Sequence, residues 1–136
     1  MRKHFLLLFL MALLPLAGWA EDISSASVAV GNIVKGTEAT GDPFVVWEGE
    51  TLTKNTHYTV EGYYTRSGEV GNYTYTAIGG ALSAQPVGTY YLKISGKPEN
   101  GFQGDAYGAF EITKKPLTID FTAVNLKLLI FNSVKE

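Results

Sequence analysis

The chain has 136 residues, a formal net charge of −2 and no cysteine. This length supports one domain with a single core. Scattered, mildly acidic charge excludes the basic surface that nucleic-acid-binding proteins need. The lack of cysteine excludes disulfide scaffolds, thiolate zinc sites and thiol nucleophiles. We therefore expect no nucleic-acid partner and no cofactor.

The first 20 residues have the pattern of a signal peptide. A short basic start precedes an apolar run at residues 5–14, and small residues stand at Gly18 and Ala20. The pattern predicts an N-terminal signal helix that is cleaved between Ala20 and Glu21. The run is shorter than the roughly 20 apolar residues of a membrane span. The protein is therefore expected to be secreted or held at the cell surface, with no membrane segment after cleavage.

Cleavage before Glu21 can be measured directly. The intact mass of the protein exported by a bacterial host should correspond to a chain that begins at Glu21. A chain that still carries Met1 would show instead that residues 1–20 act as an anchor.

After residue 20 the chain shows short runs in which apolar and polar residues alternate, and no sustained period of 3.6 residues. These runs are rich in Thr, Tyr, Val and Ile, which favour strands. Strands are predicted at residues 28–34, 44–47, 58–64, 72–78, 88–95, 110–113 and 117–121. Ser67-Gly68 is predicted to close a hairpin between the third and fourth of them. The pattern indicates an all-β fold, and a small antiparallel sandwich would bury one face of each strand.

The alternation also predicts the core and the boundaries of the domain. Tyr90, Leu92 and Ile94 fall on one face of their strand and should meet Phe110 and Ile112. Residues 1–20 are assigned to the signal peptide and residues 21–27 to a loose polar leader. The β-module is expected at residues 28–115, and residues 116–136 are expected to begin a further strand or module that is truncated.

Two polar groups could suggest catalysis. His57 stands in a polar turn, without the sequence frame of a serine or zinc hydrolase, and is interpreted as a turn residue. Glu48 and Glu50 could share a strand face as paired glycosidase carboxylates do. However, Gly49 between them indicates the end of a strand, so they are interpreted as solvated charges. No catalytic residue is predicted.

An oxygen-rich loop contains Asn100, Gln103 and Asp105. Such side chains can bind Ca²⁺, but their spacing matches no known calcium loop. An ordinary turn is the preferred interpretation, with an ion as the alternative, and no metal site is predicted.

The tyrosines exceed what a small core needs, so some of them must lie on a face that is open to water. Exposed aromatic rings on a flat sheet can hold sugar rings against their π-surfaces. Tyr63, Tyr73 and Tyr75 are the candidate ligand-stacking residues. The preferred interpretation is that cross-strand Tyr–Thr pairs stabilise the sheet, by about 0.2–1 kcal/mol each.

Several stretches in fixed order carry a family resemblance. They include Tyr58-Thr59-Val60, then VGTYYLKISG at residues 87–96 and AFEITKKPLTI at residues 109–119. Their order resembles the MBG-type, mostly-β, glycine-rich repeats of bacterial secreted and cell-surface proteins, in which "VGTYTVTISG" and "FTITKAPLTI" are typical. Two departures exist: Gly101-Phe102 replaces a usual Asn-Tyr pair, and residues 73–85 make the middle longer.

The resemblance implies an Ig-like module without enzymatic activity that serves as a spacer or adhesion element. Its expected partners are neighbouring modules, surface proteins or glycans. The alternative function, from another class, is a small carbohydrate-binding module that uses the surface tyrosines.

Overall fold

The computed structural model describes residues 19–118, which form ten strands and three short 3-10 turns. The strands are β1 (Glu21–Asp22), β2 (Ser27–Ala29), β3 (Ile33–Val34), β4 (Phe44–Trp47), β5 (Glu50–Leu52), β6 (Tyr58–Glu69), β7 (Asn72–Ala77), β8 (Gly88–Gly96), β9 (Phe102–Gln103) and β10 (Asp105–Thr113). The 3-10 turns are Ile23–Ser25, Leu82–Ala84 and Pro98–Asn100. None of the helical segments within these residues has the length and hydropathy that a membrane crossing requires. The predictions for residues 1–18 and 119–136 lie outside the described part of the chain.

The strands form a sandwich-like fold. One sheet has five strands in the order β3-β10-β8-β6-β7, a second has three in the order β2-β4-β5, and β1 pairs with β9. Pairing is antiparallel except that β1–β9 and β3–β10 are parallel. The all-β prediction is confirmed, with parallel pairs as an unpredicted detail.

The core lies on one face of the five-stranded sheet. Tyr90, Leu92 and Ile94 are all buried, as their alternation predicted, and Phe110 and Ile112 of the neighbouring strand are buried with them. Burying such a side chain stabilises the fold by roughly 1.5–3 kcal/mol. The predicted burial is therefore confirmed, but Ile94 belongs to a second cluster with Val45 and Tyr58, apart from the cluster of Phe110 and Ile112.

The segment that was predicted as a loose leader is ordered. The Glu21 backbone N–H donates a 2.8 Å hydrogen bond to the Gly101 carbonyl oxygen, and Ile23 is fully buried. The Asp22 carboxylate accepts a hydrogen bond from the Ser24 N–H at 2.9 Å and so caps the following turn. The prediction of a loose leader at residues 21–27 is therefore wrong. A single isoleucine forms no periodic pattern in the sequence, yet Ile23 packs into the core.

Several other boundaries differ from the prediction, and β10 begins at Asp105 rather than at residue 110. β6 continues through Ser67 and Gly68, and the hairpin closes at Val70-Gly71, because Glu69 pairs with Asn72. The predicted strand at residues 28–34 is two strands in different sheets, β2 and β3.

The chain enters and leaves the sandwich at opposite ends. Glu21 lies beside Phe102, close to the start of β10 at Asp105, whereas β10 ends at Thr113 beside Val34. A strand rises about 3.3 Å per residue, so the length of β10 separates these ends by about 26 Å.

Candidate functional site

Five tyrosines and two cationic side chains occupy the face of the five-stranded sheet that points away from the core. We call this group the tyrosine surface; its members are Tyr64, Tyr73, Tyr75, Tyr91 and Tyr107 with Arg66 and Lys93. Strand register brings them together, because residues that pair across antiparallel strands project on the same side. Tyr64 pairs with Tyr91, and Lys93 pairs with Tyr107.

The rings of the tyrosine surface pack against one another. Tyr75 and Tyr107 are stacked, with centroids 3.6 Å apart and ring planes 7° apart. Tyr91 meets Tyr75 edge to face at 5.4 Å, and Tyr64 meets Tyr107 in the same way at 5.9 Å. Aromatic pairs of this kind contribute about 0.5–1.5 kcal/mol beyond their buried area. The surface is therefore an interlocked layer in which the rings already cover parts of each other.

Two cations complete the layer. The Arg66 guanidinium carbon lies 3.9 Å from the ring centroid of Tyr73 and 4.6 Å from that of Tyr91. The Lys93 ammonium lies 5.8 Å from the Tyr64 centroid. These distances suit cation–π attraction. The sequence analysis did not identify either cation. Arg66 is two residues from Tyr64 and Lys93 is two residues from Tyr91, so each could have been placed on the same strand face as a tyrosine.

Asp105 anchors Lys93 at the margin of the tyrosine surface. Lys93 Nζ lies 3.1 Å from Asp105 Oδ2, and Ser95 Oγ donates a 2.6 Å hydrogen bond to Asp105 Oδ1. The Ser95 hydrogen bond, with a smaller effect from Lys93, lowers the pKa of the Asp105 carboxyl. The hydrogen bond to Asp105 raises the pKa of Lys93 in turn. Burial raises the pKa of the Tyr107 hydroxyl.

The lowered pKa of Asp105 predicts a dependence of stability on acid. Because the folded pKa lies below the unfolded one, this carboxylate stabilises the fold above about pH 4 and loses that effect as pH falls through the folded pKa. Asp105→Asn should therefore lose less unfolding free energy than the wild type between pH 7 and pH 2. Urea denaturation at both pH values measures this, with the exposed Glu38→Gln as the control. Equal acid losses in wild type and Asp105→Asn would refute the assignment.

Tyr63 lies on the core side of the sheet. Its hydroxyl accepts a 2.9 Å hydrogen bond from the Thr40 N–H, and its ring meets the Phe110 ring edge to face at 5.7 Å. The cause is a β-bulge between Val60 and Gly62, where β6 has one extra residue relative to β8. One extra residue shifts the alternation by one, so every later side chain changes face.

The predicted trio is therefore split. Tyr73 and Tyr75 belong to the tyrosine surface, while Tyr63 lies on the opposite face and Tyr64 takes the outward position. Gly62 was the available signal, because a glycine inside a strand often marks a bulge.

His57 has a structural contact at each side of its ring. Its Nδ1 accepts a 2.7 Å hydrogen bond from the Thr53 N–H, and its ring meets the Phe102 ring edge to face at 4.9 Å. It lies in the turn before β6, so the predicted turn is confirmed, but the side chain is half-buried rather than solvated.

Glu48 and Glu50 do not share a strand face. Glu48 lies in the β4–β5 turn with a left-handed φ of 48°, whereas Glu50 begins β5 opposite Trp47. The two carboxylates therefore belong to a turn and a strand rather than to one strand face.

The oxygen-rich loop is divided among three elements. Asn100 ends a 3-10 turn and its Nδ2 donates to the Thr56 carbonyl oxygen at 2.7 Å, Gln103 lies in β9, and Asp105 begins β10. No group of three or more His, Asp or Glu side chains within residues 19–118 is arranged to hold a metal ion.

Chemically, the tyrosine surface offers ring edges, phenol hydroxyls and two cations on a rigid sheet. Such an arrangement can contact apolar or hydroxyl-bearing partners without covalent chemistry. Comparison with protein-family models, with curated protein sequences and with solved structures finds no match for this chain.

Proposed function

We propose that this protein is a non-enzymatic extracellular module of the MBG type that serves as a spacer or adhesion element of a bacterial surface or secreted protein. The observation that carries the proposal is the position of the two ends of the fold. The chain enters beside Phe102 and leaves at Thr113, at the far end of β10. A module of this geometry adds its own length to whatever it connects.

The exit strand suits a module that is under tension. β10 pairs with β8 over eight residues and with β3 at Ile112 and Thr113. A pull on Thr113 acts along the axis of β10, at right angles to the antiparallel hydrogen bonds between β10 and β8. The bonds therefore share the tension and must break together.

The start of the fold and the family resemblance support the same proposal. β1 begins at Glu21, the residue that would follow the proposed cleavage, and Trp19 just before it is 80% exposed. The two longest stretches of the resemblance, residues 87–96 and 109–119, contain β8 and the second half of β10, which are neighbours in the sheet. A shared sequence pattern at two paired strands is what a shared module would need.

Solution scattering tests the spacer function. One copy and two tandem copies of residues 21–115 are placed between two fluorescent proteins, and the maximum dimension is measured. The second copy should lengthen the particle by about 26 Å or more, the rise of β10 alone. No lengthening would mean that the copies fold back on one another and would contradict the spacer function.

The alternative is a carbohydrate-binding module, which the exposed face of the tyrosine surface favours. Tyr73 retains 36% exposure at the sheet edge. The interlocked rings argue against it, because stacking on Tyr107 and the guanidinium of Arg66 cover ring faces that a sugar would need. We therefore expect no binding on a glycan array. Binding that Tyr75→Ala abolishes and the core-side Tyr63→Phe retains would establish the alternative.

A further inference from the structure

β7 (Asn72–Ala77) forms an edge of the five-stranded sheet, and no strand within residues 19–118 pairs with its outer side. The Ile78 N–H donates to the Tyr63 carbonyl oxygen at 3.1 Å, which sets the alternation of the β6–β7 ladder. In an antiparallel ladder every second residue directs its N–H and C=O to the neighbouring strand, and the others direct theirs away. The outward set is Tyr73, Tyr75 and Ala77.

This edge lacks the usual protection. Natural edge strands are shielded by lysine, proline or bulges, because a free edge is a template for another strand. β7 reads Asn-Tyr-Thr-Tyr-Thr-Ala, with no charge and no proline, and it has no bulge against β6.

In the described part of the chain, the outer portion of the β6–β7 hairpin also lacks a third strand. Among residues 19–118 only β7 pairs with residues 65–69, because the pairing of β6 with β8 ends at Tyr64. All five of these residues are exposed, and Val70 at the turn is 90% exposed. A two-stranded ribbon is marginally stable in water, so an added strand would stabilise it.

We propose that β7 pairs antiparallel with β7 of a second copy of this chain, on a two-fold axis at Tyr75. Tyr75 then lies opposite Tyr75 of the other copy, and Tyr73 lies opposite Ala77. All three outward residues take part, which forms about six hydrogen bonds between the chains. The five-stranded sheets of the two copies become one continuous sheet.

The strand is complementary to itself in this register. On the outer face the bulky Tyr73 meets the small Ala77, and on the other face Thr74 meets Thr76, a favourable cross-strand pair. An axis at Thr74 would instead pair Tyr73 with Tyr75 and leave Ala77 unused, with about four hydrogen bonds. Because β7 carries no charge, no like charges meet in the preferred register.

Pairing would add something that a spacer alone does not have. The tyrosine surfaces of the two copies would become continuous at the axis, and two chains would be held side by side. This inference rests on the β7 edge and not on the position of the chain ends, so it stands or fails independently of the proposed function.

Charge placed on β7 tests the pairing in the full chain, recovered after export. We expect the wild type to dimerise reversibly when its mass is followed over a dilution series by light scattering. Thr74→Lys with Thr76→Lys sets like charges opposite each other in both threonine pairs, which should weaken dimerisation roughly tenfold. Thr74→Glu with Thr76→Glu should do the same.

Mixing the lysine variant with the glutamate variant tests the proposed register most directly. The lysine and glutamate variants together should form a heterodimer at least as strong as the wild-type dimer, because opposite charges then face each other. The matched control is Thr51→Lys with Thr89→Lys, two exposed strand threonines away from β7, which should dimerise like the wild type. A wild type that stays monomeric, or variants that fail to recover on mixing while melting like the wild type, would overturn the proposal.

Amide hydrogen exchange of the wild-type protein tests the same pairing without any substitution. With increasing concentration of the wild type, the amides of Tyr73, Tyr75 and Ala77 should gain protection, whereas those of Thr74 and Thr76 are protected at every concentration by β6. Protection that appears on another strand would show a different interface and contradict the pairing.

Discussion

Replacing Leu92 or Phe110 by alanine should lower the free energy of unfolding by about 2–5 kcal/mol each. Leu92 is 1% exposed and Phe110 is 2% exposed, and both lie in one buried cluster with Leu82, Tyr90 and Ile112. Removing either side chain loses its transfer free energy and leaves a cavity that the surrounding strands can fill only in part. Urea denaturation of the two variants measures the losses.

The chain offers a matched control for each variant. Leu117 is 85% exposed and Phe44 is 59% exposed, so the same truncations there remove little buried surface. Leu117→Ala and Phe44→Ala should change the unfolding free energy by about 0.5 kcal/mol or less. Losses as large as those of the buried pair would mean that the core has been assigned wrongly.

Adding a single methyl group at Gly108 should destabilise the protein by about 1–3 kcal/mol. Gly108 lies on the core face of β10, and a Cβ there would stand 2.6 Å from the Val28 carbonyl oxygen and 2.7 Å from Val30 Cγ2. The Val28 oxygen belongs to the backbone of β2, so relief requires the two sheets to separate.

Gly41→Ala is the control for this variant. A Cβ at Gly41 meets no atom within 4 Å. Its replacement should be neutral, or slightly stabilising because alanine restricts the unfolded chain. Thermal melts measure the difference, and Gly108→Ala should melt at a lower temperature than Gly41→Ala. Similar melting temperatures would show that the sheets are not in close contact at Gly108.

The sequence predicted those parts of the fold in which alternation continues without a break. The predicted strand at residues 72–78 contains β7, and residues 88–95 fall within β8. In both runs aromatic or aliphatic residues alternate with polar ones that face different surroundings, so the period of two predicts the strand directly. The core residues of β8 could be named for the same reason.

The parts that were missed depend on partners far along the chain. Ile23 is buried through a turn that packs near β9 and β10, which no local pattern encodes. The bulge at Gly62 exists only relative to β8, and it alone decides that Tyr64 rather than Tyr63 faces outwards. Tyr91 alternates with the core residues of β8 and faces outwards, yet it is only 8% exposed, because Tyr75 and Arg66 cover it.

We propose that the module carries tension from one end of the fold to the other. Because the chain has no cysteine, Glu21→Cys and Lys114→Cys provide unique attachment points for single-molecule force spectroscopy. We predict one cooperative force peak that releases the whole stretch from residue 21 to residue 113 in a single step. Extension at low force through several smaller releases would contradict the claim, because the terminal strands would then peel away one after another.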